Sequence, residues 1–177
     1  MVVKKIKVGI IGAGFAGKFH CECLKRIYGV EVELAGVTSL HIQSRKSFGN
    51  QYGIAVFDDS EALIKNVDVV DICSPTYVHS ETIISAAQLG KGIICEKPLT
   101  GYFGPKNADA SYQGDKDDKQ RMLDAVCVTL NKIVAAVNKN KVFFGYAENF
   151  VYTPSVQKEC EIIEKTGAQI LRMTGKI

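Results

Sequence analysis

The chain of 177 residues has no long apolar run. A membrane-spanning helix needs about 20 consecutive apolar residues, so no transmembrane segment is expected. Nor is there a block of like charge. The net charge is +3, spread along the sequence, which leaves no footprint for nucleic acid or for an anionic membrane surface. None of the six cysteines forms a Cys-x-x-Cys pair. No histidine, cysteine and carboxylate group falls at metal-ligand spacing, so no metal is expected. The cysteines read as buried free thiols of a reducing, cytoplasmic compartment, with Cys73 and Cys95 in apolar strands and Cys127 in an amphipathic helix. The first residues lead straight into a strand, so a signal peptide is not expected.

What is present is ordinary for a globular protein: 46% hydrophobic and 23% charged residues. The length suits one domain with a real core, or one domain and part of another. One stretch organises the rest. Apolar residues run from Ile6 to Ile11 and are followed by Gly12-Ala13-Gly14-Phe15-Ala16-Gly17 and then a helical pattern, about Ala16 to Tyr28. In such a strand-turn-helix the first glycine allows a sharp turn. The second leaves room for a pyrophosphate at the backbone, and the third lets helix and strand pack closely. The phosphates then meet free helix N–H groups. The stretch therefore reads as a dinucleotide site, against the plainer reading of a glycine-rich turn.

The remaining chain alternates strands and helices. Strands are expected at Glu33–Thr38, Ile54–Phe57, Val67–Cys73, Gly92–Cys95 and Val142–Tyr146. Helices are expected at Ser44–Tyr52, Glu61–Lys65 behind the caps Asp58-Asp59-Ser60, His79–Leu89 closed by Gly90, and Met122–Asn138. In the last of these Met122, Val126, Leu130, Ile133, Val134 and Val137 form the apolar face. The strands are apolar on both faces, Val67–Cys73 being broken only by Asp68 and Asp71. That pattern predicts an α/β fold, a doubly wound parallel sheet covered on both sides. Its switch point would bring the strand ends at Gly12, Ser74 and Glu96 to one crevice.

Gly101 to Lys119 breaks this rhythm with glycine, asparagine, aspartate and lysine. It reads as a mobile surface insertion, or else as a flap over the substrate or a contact with another subunit. Beyond Asn149 the character changes: Pro154 opens a helix, Thr166-Gly167 closes it, and Gln169 to Met173 reads as a strand. The expected organisation is a nucleotide-binding domain over 1–147 and the beginning of a truncated second α/β domain over 148–177.

Three motifs carry a resemblance. Gly12 to Gly17 with His20, then Pro75-Thr76 and His79, then Glu96-Lys97-Pro98, in this order and spacing, resemble the Gfo/Idh/MocA oxidoreductases over roughly Lys5 to Met173. The resemblance implies a Rossmann domain that binds NAD or NADP, followed by a domain with an open sheet through which members commonly form homo-oligomers. It implies oxidation or reduction at a carbon–oxygen bond of a small sugar, polyol or cyclitol. Carried over residue by residue, it places Gly12, Gly14, Phe15, Ala16 and Gly17 at the phosphates. Ser74, Pro75 and Thr76 form the turn along the cofactor, with His79 opening the next helix, and Glu96 lies near the nicotinamide ribose. Lys97 faces the reacting carbon, its direction fixed by a cis peptide before Pro98. The chemistry suits a lysine: as hydride leaves an alcohol carbon, an ammonium stabilises the alkoxide, and partial burial would let it relay the proton. The plainer reading of Lys97 is an exposed loop lysine.

Two positions depart from the family pattern. The carboxylate that usually ends the second strand and holds the ribose hydroxyls is replaced by Ser39, with Arg45 and Lys46 just beyond. A small hydroxyl residue beside positive charge suits the 2′-phosphate of NADP, which tips the expectation slightly that way; alternatively Arg45 and Lys46 are a solvated helix face. After the sixth strand, Tyr146, Glu148 and Asn149 stand where family members carry a different motif. They read as substrate contacts or as a structural hinge. His20 is expected to serve core packing, and His41 to be solvated. The catalytic Asp or His of the family would lie past residue 177, so these residues alone would bind cofactor with little turnover. A non-catalytic dinucleotide sensor and a methyltransferase are the competing readings.

Overall fold

Strands that are apolar on both faces need cover on both sides, and the first part of the chain is built that way. The structure, a computed structural model, describes residues 5–105 and 112–172. These fall into two units, Met1–Ala147 and Glu148–Ile177.

The first unit holds six strands: β1 (Lys5–Ile11), β2 (Glu31–Thr38), β3 (Ala55–Val56), β4 (Val69–Ile72), β5 (Gly92–Glu96) and β6 (Phe144–Ala147). Its helices are α1 (Phe15–Leu24), α2 (Ile42–Tyr52), α3 (Ser60–Lys65), α4 (His79–Gln88) and α5 (Lys119–Asn140). All strand pairs are parallel, in the order β3-β2-β1-β4-β5-β6. The expected doubly wound sheet is therefore found, with its switch point between β1 and β4.

Side-chain parity decides which residues go where. Val8 and Ile10 of β1 and Val37 of β2 pack with Cys21, Leu24 and Phe48 of α1 and α2. Ile11, Val70, Ile72, Ile93 and Cys95 face the other way and pack against Leu63, Ile64, Ile83 and Ile133 of α3, α4 and α5. Each fully buried isoleucine contributes about 1.5–3 kcal/mol relative to leaving it in water. The same alternation turns Asp71 of β4 and Glu96 of β5 towards the α1 side, opposite to Val70, Ile72 and Cys95.

Several expectations need correction. Helix α1 ends at Leu24 rather than Tyr28, because the chain leaves it through Lys25 and turns at Gly29 with φ of 83°. Helix α2 starts two residues early, at Ile42, with His41 as its N-cap. Ile133 is buried, but Val134 is 53% exposed: the one-residue step takes it off the stripe of Val126, Leu130, Ile133 and Val137. All six cysteines are free, yet only Cys21 and Cys95 are buried; Cys73 is partly buried and Cys23, Cys127 and Cys160 are exposed.

The region 101–119 falls partly outside the described residues. Its two ends are ordered by aromatic and ionic contacts. Phe103 meets the ring of Tyr77 edge-on at 6.3 Å, and Tyr102 meets Tyr112 at 6.4 Å. Tyr112 donates to Asp117 at 2.5 Å, and Asp117 is paired with Arg121. The guanidinium and the phenol hold the Asp117 carboxyl down to about 2.

The second unit contains a 3-10 turn, Asn149–Tyr152, and α6 (Pro154–Thr166), which ends at Gly167 with φ of 64°. Residues 168–172 carry no strand. A strand exists only through ladder hydrogen bonds to a neighbour, and none reach this segment among the described residues; Met173, the last residue of the expected strand, lies outside them.

Candidate nucleotide-binding crevice

At the switch point the backbone of β1 and β4 comes very close. The N–H of Cys73 donates to Ile11 at 2.8 Å, and the N–H of Gly12 donates to Thr38 at 2.9 Å. Gly12 has φ of 119°, and a Cβ there would lie 2.5 Å from the Cys73 carbonyl oxygen. Only glycine fits this turn. A Cβ on Gly17 would run into the Gly12 carbonyl and touch Ile10, so the third glycine is what seats α1 on the turn. Gly14 differs: a Cβ there would meet nothing within 4 Å. It is the N-cap of α1, with no side-chain cap and no acidic residue in the first turn. The first N–H groups of α1 are thus uncapped beside open space, an arrangement that suits an anion.

A cavity of about 960 Å³ opens from this turn. Gly12, Gly14, Ser39, Arg45, Ser74 and Pro75 line it, all of them expected cofactor contacts. Ser44, Asp58 and Tyr77 line it as well and were not anticipated. Phe15, Ala16 and Gly17 form the first turn of α1. Phe15 is exposed, with its ring stacked on Phe19 at 6.5 Å. Thr76 opens the 3-10 turn Thr76–Val78.

The far end of the cavity is built by β2 and α2. Ser39 Oγ donates to the His41 carbonyl at 3.3 Å. Arg45 donates from Nη1 to the carbonyls of Asp58 at 2.6 Å and Ser39 at 3.3 Å, and from Nη2 to the Asp58 carboxylate at 2.8 Å. Lys46 is exposed and is not part of the lining. Two buried polar atoms on the cavity wall, Arg45 Nε and Ser74 Oγ, have no hydrogen-bond partner among the described residues. Burying a polar atom without a partner is costly, and an open glycine cradle beside such atoms fits a polar, phosphate-bearing ligand.

Two histidines tie the neighbouring strand ends together. His79 is 1% exposed, and its ring nitrogens face the carbonyls of Ser74 at 2.8 Å and Pro98 at 3.1 Å. Its contribution to the crevice is to clip the end of β4 to the turn after β5. His20 does not serve core packing. Its Nδ1 lies 2.9 Å from both oxygens of Asp71, and its Nε2 lies 3.0 Å from Glu96 Oε1. Glu96 Oε2 in turn accepts from the Lys97 N–H at 3.0 Å. The Cys73 thiol donates to Asp71 at 3.5 Å. His20, Asp71 and Cys73 bring their polar atoms within 4.8 Å of one another, a grouping that sequence spacing hid. In the structure these atoms are each other's hydrogen-bond partners. Burial pushes the thiols of Cys21 and Cys95 up to about 12 and raises that of Cys73 as well, so all three stay protonated.

The Lys97–Pro98 peptide is cis. Lys97 itself is exposed, so the partial burial expected of it is not supplied by the described residues. Tyr146 of β6 pairs in register with Cys95 and is 40% exposed. Asn149 and Glu148 belong to the second unit, where Glu148 accepts from the Phe150 N–H at 3.3 Å.

A parallel sheet with a bare glycine turn at its switch point defines a Rossmann-type nucleotide-binding domain. Residues 6–113 match the family described as "Oxidoreductase family, NAD-binding Rossmann fold", and the chain belongs to this Gfo/Idh/MocA family. The myo-inositol 2-dehydrogenase of Thermotoga maritima is 34% identical over 98 residues, 54% of this chain and 29% of that protein. The inositol 2-dehydrogenase of Rubrobacter xylanophilus is 28% identical over 174 residues, 92% of this chain and 50% of that protein. Among solved structures, GenD2 from gentamicin A biosynthesis, in complex with NAD, superposes with a TM-score of 0.73 at 19% identity, covering 95% of this chain and 41% of that one. The chain thus spans half or less of the length of these relatives. No helix among the described residues is long and apolar enough to cross a membrane.

Proposed function

We propose that this chain holds NAD or NADP in the crevice at the β1–β4 switch point, as part of a dehydrogenase for a CH–OH group of a sugar, polyol or cyclitol. The observation that carries the reading is the conjunction at one sheet edge of an uncapped helix terminus, an open Gly14 and the Glu96-Lys97 turn. When bound, the nicotinamide accepts or returns the hydride. The chain's own part is to bind and orient. The α1 N-terminus holds the pyrophosphate, and the turn Ser74 to Thr76 lies along the cofactor. Lys97 sits by the reacting carbon: in reduction its ammonium gives a proton to the oxygen as hydride arrives, and in oxidation its amine takes the hydroxyl proton as hydride leaves. Glu96 balances part of that charge. Tyr146 and Asn149 are read as contacts to substrate hydroxyls.

At the ribose end the reading favours the 2′-phosphate of NADP. Ser39 and Ser44 offer hydroxyls, Arg45 offers a cation, and the N-terminus of α2 carries no acidic residue. Asp58 opposes it, since its carboxylate already pairs with Arg45. Residues 148–177 are read as belonging to a second α/β domain, which carries a homo-oligomer interface.

Titration with NADH and NADPH, followed by turnover assays on full-length protein, tests this. Lys97→Ala should abolish turnover, by at least about a hundredfold, while cofactor affinity stays within about twofold. Full activity in that variant overturns the assignment. Cofactor binding without turnover of any polyol by the unaltered full-length protein would favour the sensor reading.

A further inference from the structure

We infer that His20 is a positioning residue for the Glu96-Lys97 turn: as an imidazolium it fixes the Glu96 carboxylate between itself and the Lys97 backbone, and it lets go when it loses its proton. The inference rests on the reading of Lys97 as the residue at the reacting carbon, but its structural half can be tested without it.

The geometry carries the argument. Both ring nitrogens of His20 face carboxylates, Asp71 on one side and Glu96 on the other, all within 3.0 Å. A carboxylate only accepts hydrogen bonds, and a neutral imidazole has one N–H. Both contacts are satisfied together when the ring carries two protons. The side chains of Asp71, His20 and Glu96 are 1%, 13% and 21% exposed, so water competes little with these bonds. The remaining oxygen of Glu96 accepts from the Lys97 N–H. The carboxylate is therefore held at both ends, and the Lys97 backbone is held with it. On the other flank of Lys97, the His79 ring meets the Pro98 carbonyl. Lysine 97 thus sits between two neighbours that separate histidines pin.

The other titratable groups around the ring do not compete in the neutral range. Facing it are Asp71 of β4, Cys73 just beyond that strand and Glu96 of β5, with Cys21 next to it in α1, while Cys95 lies on the opposite face of the sheet. The three thiols are pushed up by burial and remain neutral. Chiefly through its hydrogen bond, Asp71 raises His20 above the usual histidine value, with Glu96 adding to this and burial opposing. When the proton leaves to solvent, Asp71 keeps the Nδ1 hydrogen, because that contact is the dominant one. The bare Nε2 lone pair then faces the Glu96 oxygen, and that hydrogen bond becomes a repulsion.

Ring-nitrogen NMR across a pH series tests the structural half. In wild-type protein the His20 ring should carry both protons near neutral pH and titrate above the ordinary histidine range. The Lys97 amide shift should follow the same midpoint. Glu96→Gln should lower the midpoint, and in His20→Gln the Lys97 amide should lose that titration. In full-length protein, His20→Gln should lower kcat about tenfold at neutral pH, the worth of one charge-assisted hydrogen bond, and flatten its decline at higher pH. Cofactor affinity should stay within about twofold. A ring with one proton near neutral pH, or a Lys97 amide blind to the His20 titration, overturns the inference even if the enzyme is active. A wild-type protein with no turnover would sink the reading of Lys97 alone, and the NMR result would still decide whether His20 holds Glu96.

Discussion

The three glycines of the first turn illustrate how one residue type can do separate jobs, and substitution should separate them. Gly17→Ala forces a methyl into the Gly12 carbonyl, where backbone must shift. Overpacking of this kind costs about 1–3 kcal/mol, and the urea midpoint should fall accordingly. Gly14→Ala meets open space, so stability should change by less than about 1 kcal/mol. The methyl then occupies the approach to the helix terminus, and NADH affinity should fall by at least about tenfold, as read by fluorescence titration. If both variants bind NADH as the wild type does, the pyrophosphate does not lie here. Arg45→Ala should weaken NADPH about tenfold more than NADH, the worth of one charge-assisted contact; a marked NAD preference in the unaltered protein removes the case for a 2′-phosphate site. His20 supplies a pH dependence with a definite sign. Its pKa is raised in the folded protein, so its contribution to stability is complete below the unfolded value of about 6.5 and fades as pH climbs through the folded one. Urea denaturation of wild type and His20→Gln should differ most in mildly acidic buffer and converge in alkaline buffer.

At the level of elements, strand and helix positions were legible because apolar spacing has two distinct periods. Strand β1 and the stripe Val126, Leu130, Ile133 and Val137 of α5 follow directly from it. Less legible was where an element stops. The helical pattern of α1 runs on to Tyr28 in sequence, yet the chain leaves it four residues earlier to turn at Gly29. The meeting of His20, Asp71 and Glu96 was hidden for a different reason. It needs β4 beside β5, α1 lying over both, and the right parity in each strand. The only local signs were Asp68 and Asp71, the two carboxylates that break the apolar stretch Val67–Cys73, and of these Asp71 is the buried one. Buried charge demands a partner, and that demand was the clue. Strand β4 also carries the central packing. Ile72 is fully buried between β1 and β5, and Ile72→Ala should cost about 2–5 kcal/mol in denaturant unfolding.

For the molecule as a whole, the doubly wound parallel sheet was legible, because alternating apolar strands and helices allow few topologies; its switch point followed only once the dinucleotide-binding strand order was assumed. The cavity wall was only partly so. Ser44, Asp58 and Tyr77 reach it from segments with no motif to mark them. Ligand binding should stabilise the folded state as a whole. At a concentration a hundred times its Kd, a cofactor adds about 2.7 kcal/mol, which for a protein of this size raises Tm by roughly 5–10 °C. No rise with either NADH or NADPH would remove the dinucleotide reading. The order of the sheet also bears on how the chain is made. The partner on one flank of β1, β2, follows soon after it in the chain, whereas the partner on the other flank, Val69–Ile72, is synthesised only after β2 and β3. A nascent chain halted in that interval leaves the backbone N–H and C=O groups on that flank of β1 without their β4 partners.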